Sequence, residues 1–424
     1  MRFLLVNNHC ISDPIAGVTQ SLRTIVEWLA DAGHQCHVLT TARFESPVTF
    51  TIDEHLAQQG VSPDALASVP GSGRRSAKAA RAAIRPVVQY AVRSAPVTLL
   101  LTRHNDERHP DRGESAQYLT LLTRLLDEHA PDVLIAANGH AMIFEAMRVA
   151  RRRGITTAFA VRGYGYYQPS YFEAVDHAFT CSQFLTDLYQ RKVGLISTPL
   201  EPPIDWSTVV APAESRQFVT FVNPVPHKGL WLFARLADML GSRRPDIPIL
   251  VVQSSQSAGA LNAIPGIDFS KYPHIMAAPP VPSPADYFAL TRLLLVPSVW
   301  EEPFGRVAAE AMINGVPPLV SNRGALPDVC GGDASQGGGG RVLPIPEWLN
   351  AESTTLPAEH EVQPWFDAVC ALWDDPALYS SIAARATRIA DERYSEHVSR
   401  KRHVDYFTSL TPRGRPITSS APPA

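Results

Sequence analysis

The feature that most constrains the fold is an alternation of short apolar runs with amphipathic helical patterns. Near the start of the chain, the apolar run Phe3–Val6 precedes a helical pattern from Gly17 to about Asp31, and Gly33 ends that pattern before a second apolar run, His37–Leu39. A strand that is buried on both faces and followed by a crossover helix requires a parallel sheet covered by helices. The stretch therefore predicts a βαβ unit.

The same alternation continues along both halves of the chain. In the first half it predicts helices at 118–129 and 143–153 and strands at 133–136 and 156–161. In the second half it predicts strands at 218–222, 248–252, 293–296 and 318–320 and helices at 230–240, 284–290 and 305–314. Three further helical patterns follow at 365–373, 378–393 and 396–406. We therefore expect an α/β protein with two doubly wound domains.

The length of the chain also fits two domains, because 424 residues exceed what a single core commonly holds. Prolines at 199, 202 and 203 place a linker near residue 200. We expect a first domain over residues 1–205, a second over 206–385, a helical segment over 386–410 that crosses back to the first domain, and a disordered tail over 411–424.

The segment 331–340 contains six glycines. No helical pattern begins directly after it, although a phosphate-binding glycine loop requires one. We therefore expect this segment to be an inserted, flexible surface loop.

Charge and cysteine content narrow the range of partners. A formal net charge of −3 gives no basic excess that would favour nucleic acid. The five cysteines form no CxxC pair, so they indicate neither a disulfide framework nor a zinc site and fit a reducing compartment. No apolar run is long enough for a signal-peptide core or a membrane-spanning helix. We expect a cytoplasmic protein that binds small molecules, and the sequence leaves its oligomeric state open.

Basic residues recur at helical spacing between alanines, at Arg74, Arg75, Lys78, Arg81 and Arg85. Such a face can bind acidic membranes, but here Ile84 is the only large apolar side chain that could anchor it. The pattern favours a solvated face, or a surface for an anionic acceptor, over a peripheral membrane contact.

The richest chemistry lies between residues 296 and 310, where two glutamates stand eight positions apart. A strand ends at Pro297, Glu302 lies in the following loop, and Phe304–Gly305 opens a helix. The free N–H groups at such a helix start suit a phosphate. The carboxylate of Glu310, further along the helix, can accept hydrogen bonds from ribose hydroxyls, and Glu302 can do the same for a sugar. The stretch therefore suits a ligand that carries both phosphate and sugar hydroxyl groups.

The segments 302–311 (EPFGRVAAEA), 315–318 (GVPP) and 324–328 (GALPD) resemble the signature of glycosyltransferase family 4. The resemblance covers residues 215–345 well and the first half more loosely. It implies the GT-B fold, with two Rossmann-like domains facing a cleft, the acceptor on the N-terminal domain and the donor on the C-terminal one. It also implies that Glu302 and Glu310 contact the donor sugar and the ribose. The backbone between them would hold sugar hydroxyls and phosphate, at Phe304, Gly305, Arg306 and Val307.

The stretch from Phe221 to Leu230 resembles the family's phosphate-binding loop, which makes Lys228 the match for its lysine. A lysine there would neutralise the nucleoside diphosphate as it leaves. The family usually carries an arginine a few residues earlier, where this chain has Asn223 and Pro224. We still expect Asn223 to contact the nucleotide-sugar donor, because it lies in the same loop as Lys228.

The missing arginine leaves one diphosphate contact to be supplied by another side chain. Arg306, at the start of the anion-binding helix, and Arg162 are the hypothesised replacements. Family members also commonly place a histidine, which contacts the reacting sugar, at about the position of Arg162. His140 is the nearest alternative, so Arg162 and His140 are both candidates for a catalytic contact, while Gly17 resembles the glycine that lets the backbone approach the diphosphate.

Family membership further implies a retaining mechanism in which the donor phosphate helps to deprotonate the acceptor. No protein nucleophile is then needed. The sequence has no Asp-x-Asp, the motif by which other glycosyltransferases hold a divalent ion, so we expect no metal and no cofactor beyond the nucleotide-sugar substrate. Two alternatives stay open: an enzyme that epimerises or hydrolyses a nucleotide sugar, and a catalytically silent subunit that binds one.

Overall fold

The structure is a computed structural model that describes residues 1–410, apart from 15, 46, 47, 49, 61–65, 68–84, 107, 108, 214, 215, 254–263 and 282. Its contacts divide the chain into two units. Unit 1 comprises Met1–Cys181, Leu185–Pro203 and the chain from Arg400, and unit 2 comprises Ser182–Phe184 and Ile204–Ser399. The tail 411–424 and the basic positions 74–81 lie outside the described residues.

Unit 1 is built on a sheet with the strand order β3-β4-β5-β2-β1-β6-β7-β8-β9. Its strands are β1 Arg2–Val6, β2 Gln35–Thr41, β3 Leu66–Ala67, β4 Val87–Val92, β5 Ala95–Leu100, β6 Val133–Ala137, β7 Thr156–Val161, β8 His177–Thr180 and β9 Ser197–Pro199. From β5 to β9 all neighbours pair in parallel, as the apolar runs predict.

The pairs β3–β4 and β4–β5 are antiparallel, and the sequence did not predict them. Their hairpin turn places Arg93 at a positive φ of 48°. Hairpin turns of this kind usually signal themselves through glycine or asparagine. An arginine gives no such signal, so the hairpin is invisible in the sequence.

The helices of unit 1 are α1 Gly17–Asp31, α2 Ile52–Gln58, α3 Arg112–His129, α4 Ala141–Arg152 and, from Leu185 onward, α5 Gln183–Val193. α1 has the predicted bounds. α3 begins earlier than predicted because Asp111 and Glu114 form a capping box at its start. The core of the unit joins the apolar faces of β1 and β6 to Phe407 and Leu410 near the end of the chain.

Unit 2 is built on a wholly parallel sheet with the strand order β12-β11-β10-β13-β14-β15. Its strands are β10 Phe218–Val222, β11 Ile249–Val252, β12 Ile275–Ala278, β13 Thr291–Val296, β14 Pro318–Ser321 and β15 Arg341–Leu343. Its helices are α6 Trp206–Val209, α7 Leu230–Arg243, α8 Pro284–Phe288, α9 Arg306–Ile313, α10 Leu326–Val329, α11 Glu359–Asp374 and α12 Pro376–Tyr394. Phe221 of β10 stacks on Phe233 of α7 with 4.3 Å between ring centroids, at the centre of the core.

The last helix, α13 (Glu396–Ser409), passes from unit 2 into unit 1. The change of unit falls between Ser399 and Arg400, so residues 386–399 belong to unit 2. Within the described ranges, none of the helices combines the length and apolar character that crossing a membrane requires.

The prediction of a flexible surface loop at 331–340 is wrong for its last three residues. Gly338, Gly339 and Gly340 are buried. A Cβ atom on Gly339 would lie 2.7 Å from Cα of Ala386 in α12, and one on Gly340 would lie 2.7 Å from the carbonyl oxygen of Pro318. These glycines permit close packing between backbones, which a composition rich in glycine cannot distinguish from flexibility.

Candidate functional site

The loop after β10 brings Lys228 to the carboxyl edge of the sheet of unit 2. Asn223 adopts the left-handed conformation, and its N–H donates to Val252 while its carbonyl accepts from Val225. A short 3-10 helix, Pro226–Lys228, then leads to Gly229 at a φ of 90°. A Cβ atom there would lie 1.9 Å from the carbonyl oxygen of Pro297, so a glycine is needed for this loop to pack against the loop that follows β13.

Lys228 and Glu302, which the sequence assigned to one site, are in contact. Nζ of Lys228 lies 2.7 Å from Oε1 of Glu302, and the hydroxyl of Ser298 donates to the same oxygen at 2.6 Å. Nζ also lies 5.4 Å from the ring centroid of Trp300. The carboxyl side chain is 5% exposed and the lysine side chain 28%, so the pair has a buried anionic end and a solvated cationic end.

The ionisation of Glu302 reflects two opposed influences. Burial raises the pKa of this carboxyl, but the charge of Lys228 and the hydrogen bonds from Lys228 and Ser298 together hold the pKa below its ordinary value. Glu302 is therefore an anion at neutral pH. The site presents a carboxylate and an ammonium side by side.

The backbone around Glu302 is fixed by contacts with the loop after β14. The carbonyl of Glu302 accepts from the N–H of Ala325 at 2.8 Å. Gly324 has a φ of 61°, and a Cβ atom on it would lie 2.3 Å from both the nitrogen and the carbonyl oxygen of Glu302. The GALPD segment thus holds the glutamate loop in place.

The helix α9 begins directly after this loop without a side-chain cap. Gly305 precedes it at a φ of 91°, and the side chain of Phe304 is buried against Tyr394. The first N–H groups of an α-helix have no partner within the helix. The backbone of Arg306 and Val307 therefore lies at the positive end of the helix dipole, where an anionic group is favoured.

Glu310, in the second turn of α9, is buried and paired with Arg306. Nε of Arg306 lies 3.3 Å from Oε1 of Glu310. Tyr287 packs nearby, and its pKa is raised well above the ordinary value by burial and, secondarily, by the charge of Glu310. The structure therefore brings together two pairs of predicted residues, Lys228 with Glu302 and Arg306 with Glu310.

The predicted residues of unit 1 lie at the carboxyl ends of its strands. Gly17 is the first residue of α1. His140 caps α4, because its Nδ1 accepts from the N–H of Met142 at 3.1 Å. Arg162 follows β7, with Nη1 3.4 Å from the carbonyl oxygen of Leu200 and its guanidinium 5.4 Å from the ring centroid of Phe179.

Sequence reasoning missed two polar groups at these edges. Ser298, which binds Glu302, gives no signal because serine is common in loops. Arg43 follows β2 and is almost fully buried with Glu114, 2.7 Å away. An arginine soon after a buried strand could have been recognised as a candidate in the sequence. Its pairing with Glu114 could not, because Glu114 lies far along the chain.

Residues 272–337, a range that includes both glutamates, match the family described as Glycosyl transferases group 1. No functionally curated protein matches the chain. Among the described residues, no cluster of three or more His, Cys, Asp or Glu side chains is arranged to hold a metal ion.

Solved structures resemble the chain over nearly its whole length. A glycosyltransferase from Rickettsia africae ESF-5 is 10% identical with a TM-score of 0.63, and the match covers 96% of this chain and 97% of that one. Anabaena HepE in complex with UDP and glucose is 14% identical with a TM-score of 0.60, over 96% and 99%. A mutant of S. aureus TarM in complex with Fondaparinux, alpha-GlcNAc-glycerol and UDP is 11% identical with a TM-score of 0.62, over 96% and 100%. These likenesses confirm the predicted GT-B fold.

Proposed function

We propose that this GT-B protein is a retaining, metal-independent glycosyltransferase that moves a sugar from a nucleoside-diphosphate sugar to an acceptor hydroxyl. The observation that carries the proposal is the contact between Lys228 and Glu302 beside the uncapped start of α9. It is supported by the family match over residues 272–337 and by the UDP and glucose named with HepE.

In this proposal, unit 2 holds the donor. The ammonium of Lys228 and the N–H groups at the start of α9 bind the diphosphate and stabilise the negative charge that grows on it as the glycosidic bond breaks. Glu302 accepts hydrogen bonds from the sugar and Glu310 accepts them from the ribose. Ser298 and Arg306 already orient the two glutamates, so these carboxylates need little reorganisation when the ligand binds.

The acceptor belongs to unit 1 in this proposal. The leaving phosphate takes the acceptor proton, so no side chain has to act as a nucleophile. His140 and Arg162 stay candidates for contacts to the reacting sugar, and Gly17 for a backbone contact to the diphosphate. The cationic charge that a metal supplies in other enzymes comes here from Lys228 and the helix start.

Asn223 favours one alternative, a catalytically silent subunit that binds a nucleotide sugar. It stands where the family usually has an arginine. Its Oδ1 is buried and has no hydrogen-bond partner among the described residues. A subunit of this kind would bind the donor and would never release a nucleoside diphosphate.

The test is a thermal-shift and turnover screen of the wild-type protein against UDP-, ADP-, GDP- and dTDP-sugars, with and without a divalent-ion chelator. We expect one nucleotide to raise Tm and its sugar to be consumed at the same rate with the chelator present. NMR of the product distinguishes transfer with retention from inversion, epimerisation and hydrolysis. Failure of every nucleotide to raise Tm would refute the proposed function, and binding without turnover would favour the silent subunit.

A further inference from the structure

We propose that Arg43, His9 and His140 of unit 1 form a binding site for an anionic group, a carboxylate or phosphate, on the acceptor substrate. We call these three residues the Arg43 site. The inference rests on the proposed function, because it assigns the ligand of this site to the acceptor.

Arg43 supplies the charge of the site. Its side chain is 1% exposed, and its Nη2 lies 2.7 Å from Oε2 of Glu114. The other two nitrogens, Nε and Nη1, are buried and have no hydrogen-bond partner among the described residues. Leaving a buried charged donor without an acceptor destabilises the folded protein. Such donors are expected where a bound ligand supplies the missing acceptor.

Glu114 does not neutralise this region by itself. Its Oε1 accepts from the N–H of Arg103 at 2.6 Å, and its Oε2 also accepts from the N–H of Asp111 at 3.0 Å. Nε of Arg85 lies 3.7 Å from Oε1. One carboxylate thus serves two guanidinium groups, and it leaves Nε and Nη1 of Arg43 without an acceptor among the described residues.

Asn7 and Asn138 fix the tautomer of His9. Nδ2 of Asn7 donates to the carbonyl of His9 at 3.0 Å, so Oδ1 of Asn7 is free to accept from Nδ2 of Asn138, 2.7 Å away. The same Nδ2 lies 3.2 Å from Nδ1 of His9. Nδ1 of His9 is therefore an acceptor, and a neutral His9 carries its proton on Nε2.

His140 has the same tautomer, because its Nδ1 accepts from Met142. Burial lowers the pKa of both histidines, and the charge of Arg43 lowers both further. The charge of Asp13 acts against this and raises the pKa of His9, whereas the charges of His109 and His9 lower the pKa of His140 further. Both rings are thus neutral at pH 7, and each offers an Nε2–H donor within the field of Arg43.

The three side chains follow three neighbouring strands. His9 comes after β1, Arg43 after β2 and His140 after β6, and the sheet order is β2-β1-β6. Parallel sheets bind ligands at the carboxyl ends of such strands. Asp13, the nearby carboxylate, already accepts from the N–H groups of Ala16 and Glu45. A site that offers guanidinium and imidazole donors fits an anionic oxygen group better than a neutral hydroxyl.

Two variants remove donors and leave the local architecture in place. His140→Asn retains a cap acceptor for Met142 but loses the Nε2–H. Arg43→Lys retains a cation against Glu114 but loses the guanidinium donors. The matched control is His129→Asn, a half-buried histidine whose Nε2 lies 3.1 Å from the carbonyl of Phe3, near the amino end of β1.

The experiment follows ring-labelled histidines by NMR during titration with glucuronate, glucose, inorganic phosphate and UDP. Glucuronate and glucose form a matched pair that differs in one carboxylate. We expect glucuronate and phosphate, but not glucose or UDP, to shift the signals of His9 and His140. Affinity for both anions should fall about tenfold or more in His140→Asn and Arg43→Lys, as expected for a lost charge-assisted hydrogen bond, and stay unchanged in His129→Asn.

Three results would overturn the inference. The first is equal affinity for glucose and glucuronate, because the site would then not recognise charge. The second is a shift of the same signals by UDP with loss of affinity in the same variants, because the anion would then be the diphosphate of the donor. The third is the absence of any change in the histidine signals with either anion. The screen for nucleotide binding to unit 2 gives its answer independently, so the two proposals can fail separately.

Discussion

Each unit carries an ion pair of a basic residue and a glutamate at the carboxyl edge of its sheet, and the two pairs differ in their exposure to solvent. In unit 2, Lys228 is 28% exposed and Glu302 is 5% exposed. In unit 1, Arg43 and Glu114 are 1% and 2% exposed. Both contacts measure 2.7 Å. The cation of unit 2 can exchange its partner for a ligand, whereas Arg43 can only add a ligand to a partner that it keeps.

The largest effect should come from breaking the Arg43–Glu114 pair, which is almost fully buried. Removing one member of a buried ion pair typically costs about 3–5 kcal/mol, because the remaining charge is left unpaired. We expect Arg43→Met to lower the free energy of unfolding by that amount and Lys228→Met to lower it by less, since the solvated end of the second pair lets water replace the lysine. Chemical denaturation of both variants measures the difference. Equal losses would contradict the contrast between the pairs.

Acid should destabilise unit 1 before unit 2. Burial, with the charge of His129, lowers the pKa of His37 to about 4, whereas the unfolded chain binds this proton near pH 6.5. Because the unfolded state binds more protons between these values, stability is complete above pH 6.5 and is lost as the pH falls towards 4, by up to roughly 3 kcal/mol. Hydrogen exchange at pH 7 and 5 reports each unit separately. In His37→Gln the pH dependence of unit 1 should flatten, and an unchanged profile would exclude this cause.

The partly exposed Lys228–Glu302 pair should matter more for sugar transfer than for stability. We expect Lys228→Ala and Glu310→Ala each to lower turnover about 100-fold or more. A loss of this size is usual when an enzyme loses a contact to the charge that develops in the transition state, or a binding contact close to it. Lys271→Ala removes an exposed lysine of the same unit, 4.0 Å from Asp268, and should leave turnover unchanged. Near-normal turnover in both site variants would rule out the assigned roles.

Alanine substitutions at two glycines test how tightly the loops at the carboxyl edges of the two sheets are packed. In unit 2, Gly229→Ala places a Cβ atom 1.9 Å from a backbone oxygen at a φ of 90°, and we expect a loss of about 2 kcal/mol. In unit 1, Gly163→Ala meets nothing within 4 Å, and we expect a change within about 0.5 kcal/mol. Thermal unfolding measures both. Similar losses at the two positions would mean that the lysine loop is not held as described.

The smallest effect concerns the arginine that the family usually carries. If Arg306 or Arg162 replaces it, Arg306→Gln or Arg162→Gln should weaken binding of the nucleoside diphosphate about tenfold, in line with a lost hydrogen bond to a charged group. Arg388→Gln, an exposed residue of α12 paired with Glu392, is the control. Unchanged affinity in both site variants would leave Lys228 and α9 as the whole diphosphate site.

The sequence predicted unit 2 better than unit 1. In unit 2, local signals coincide with the site: apolar runs mark β10 and β13, and the glutamate motif marks the start of α9. In unit 1, the β4–β5 hairpin turns at Arg93, and the partner of Arg43 is Glu114 on a distant helix. Neither follows from local sequence. The glycines at 338–340 were misjudged for a related reason, because the helix that packs on them lies further along the chain.

The most direct test of the account is release of nucleoside diphosphate by the double variant Lys228→Met/Glu302→Gln, measured with the donor that the screen selects. The double change removes both charges, and glutamine still accepts from Ser298, so no unpaired charge stays buried. The account predicts a folded protein with a free energy of unfolding near that of the wild type and with turnover lowered at least 100-fold. Turnover near the wild-type rate would contradict it, because the pair would then be structural.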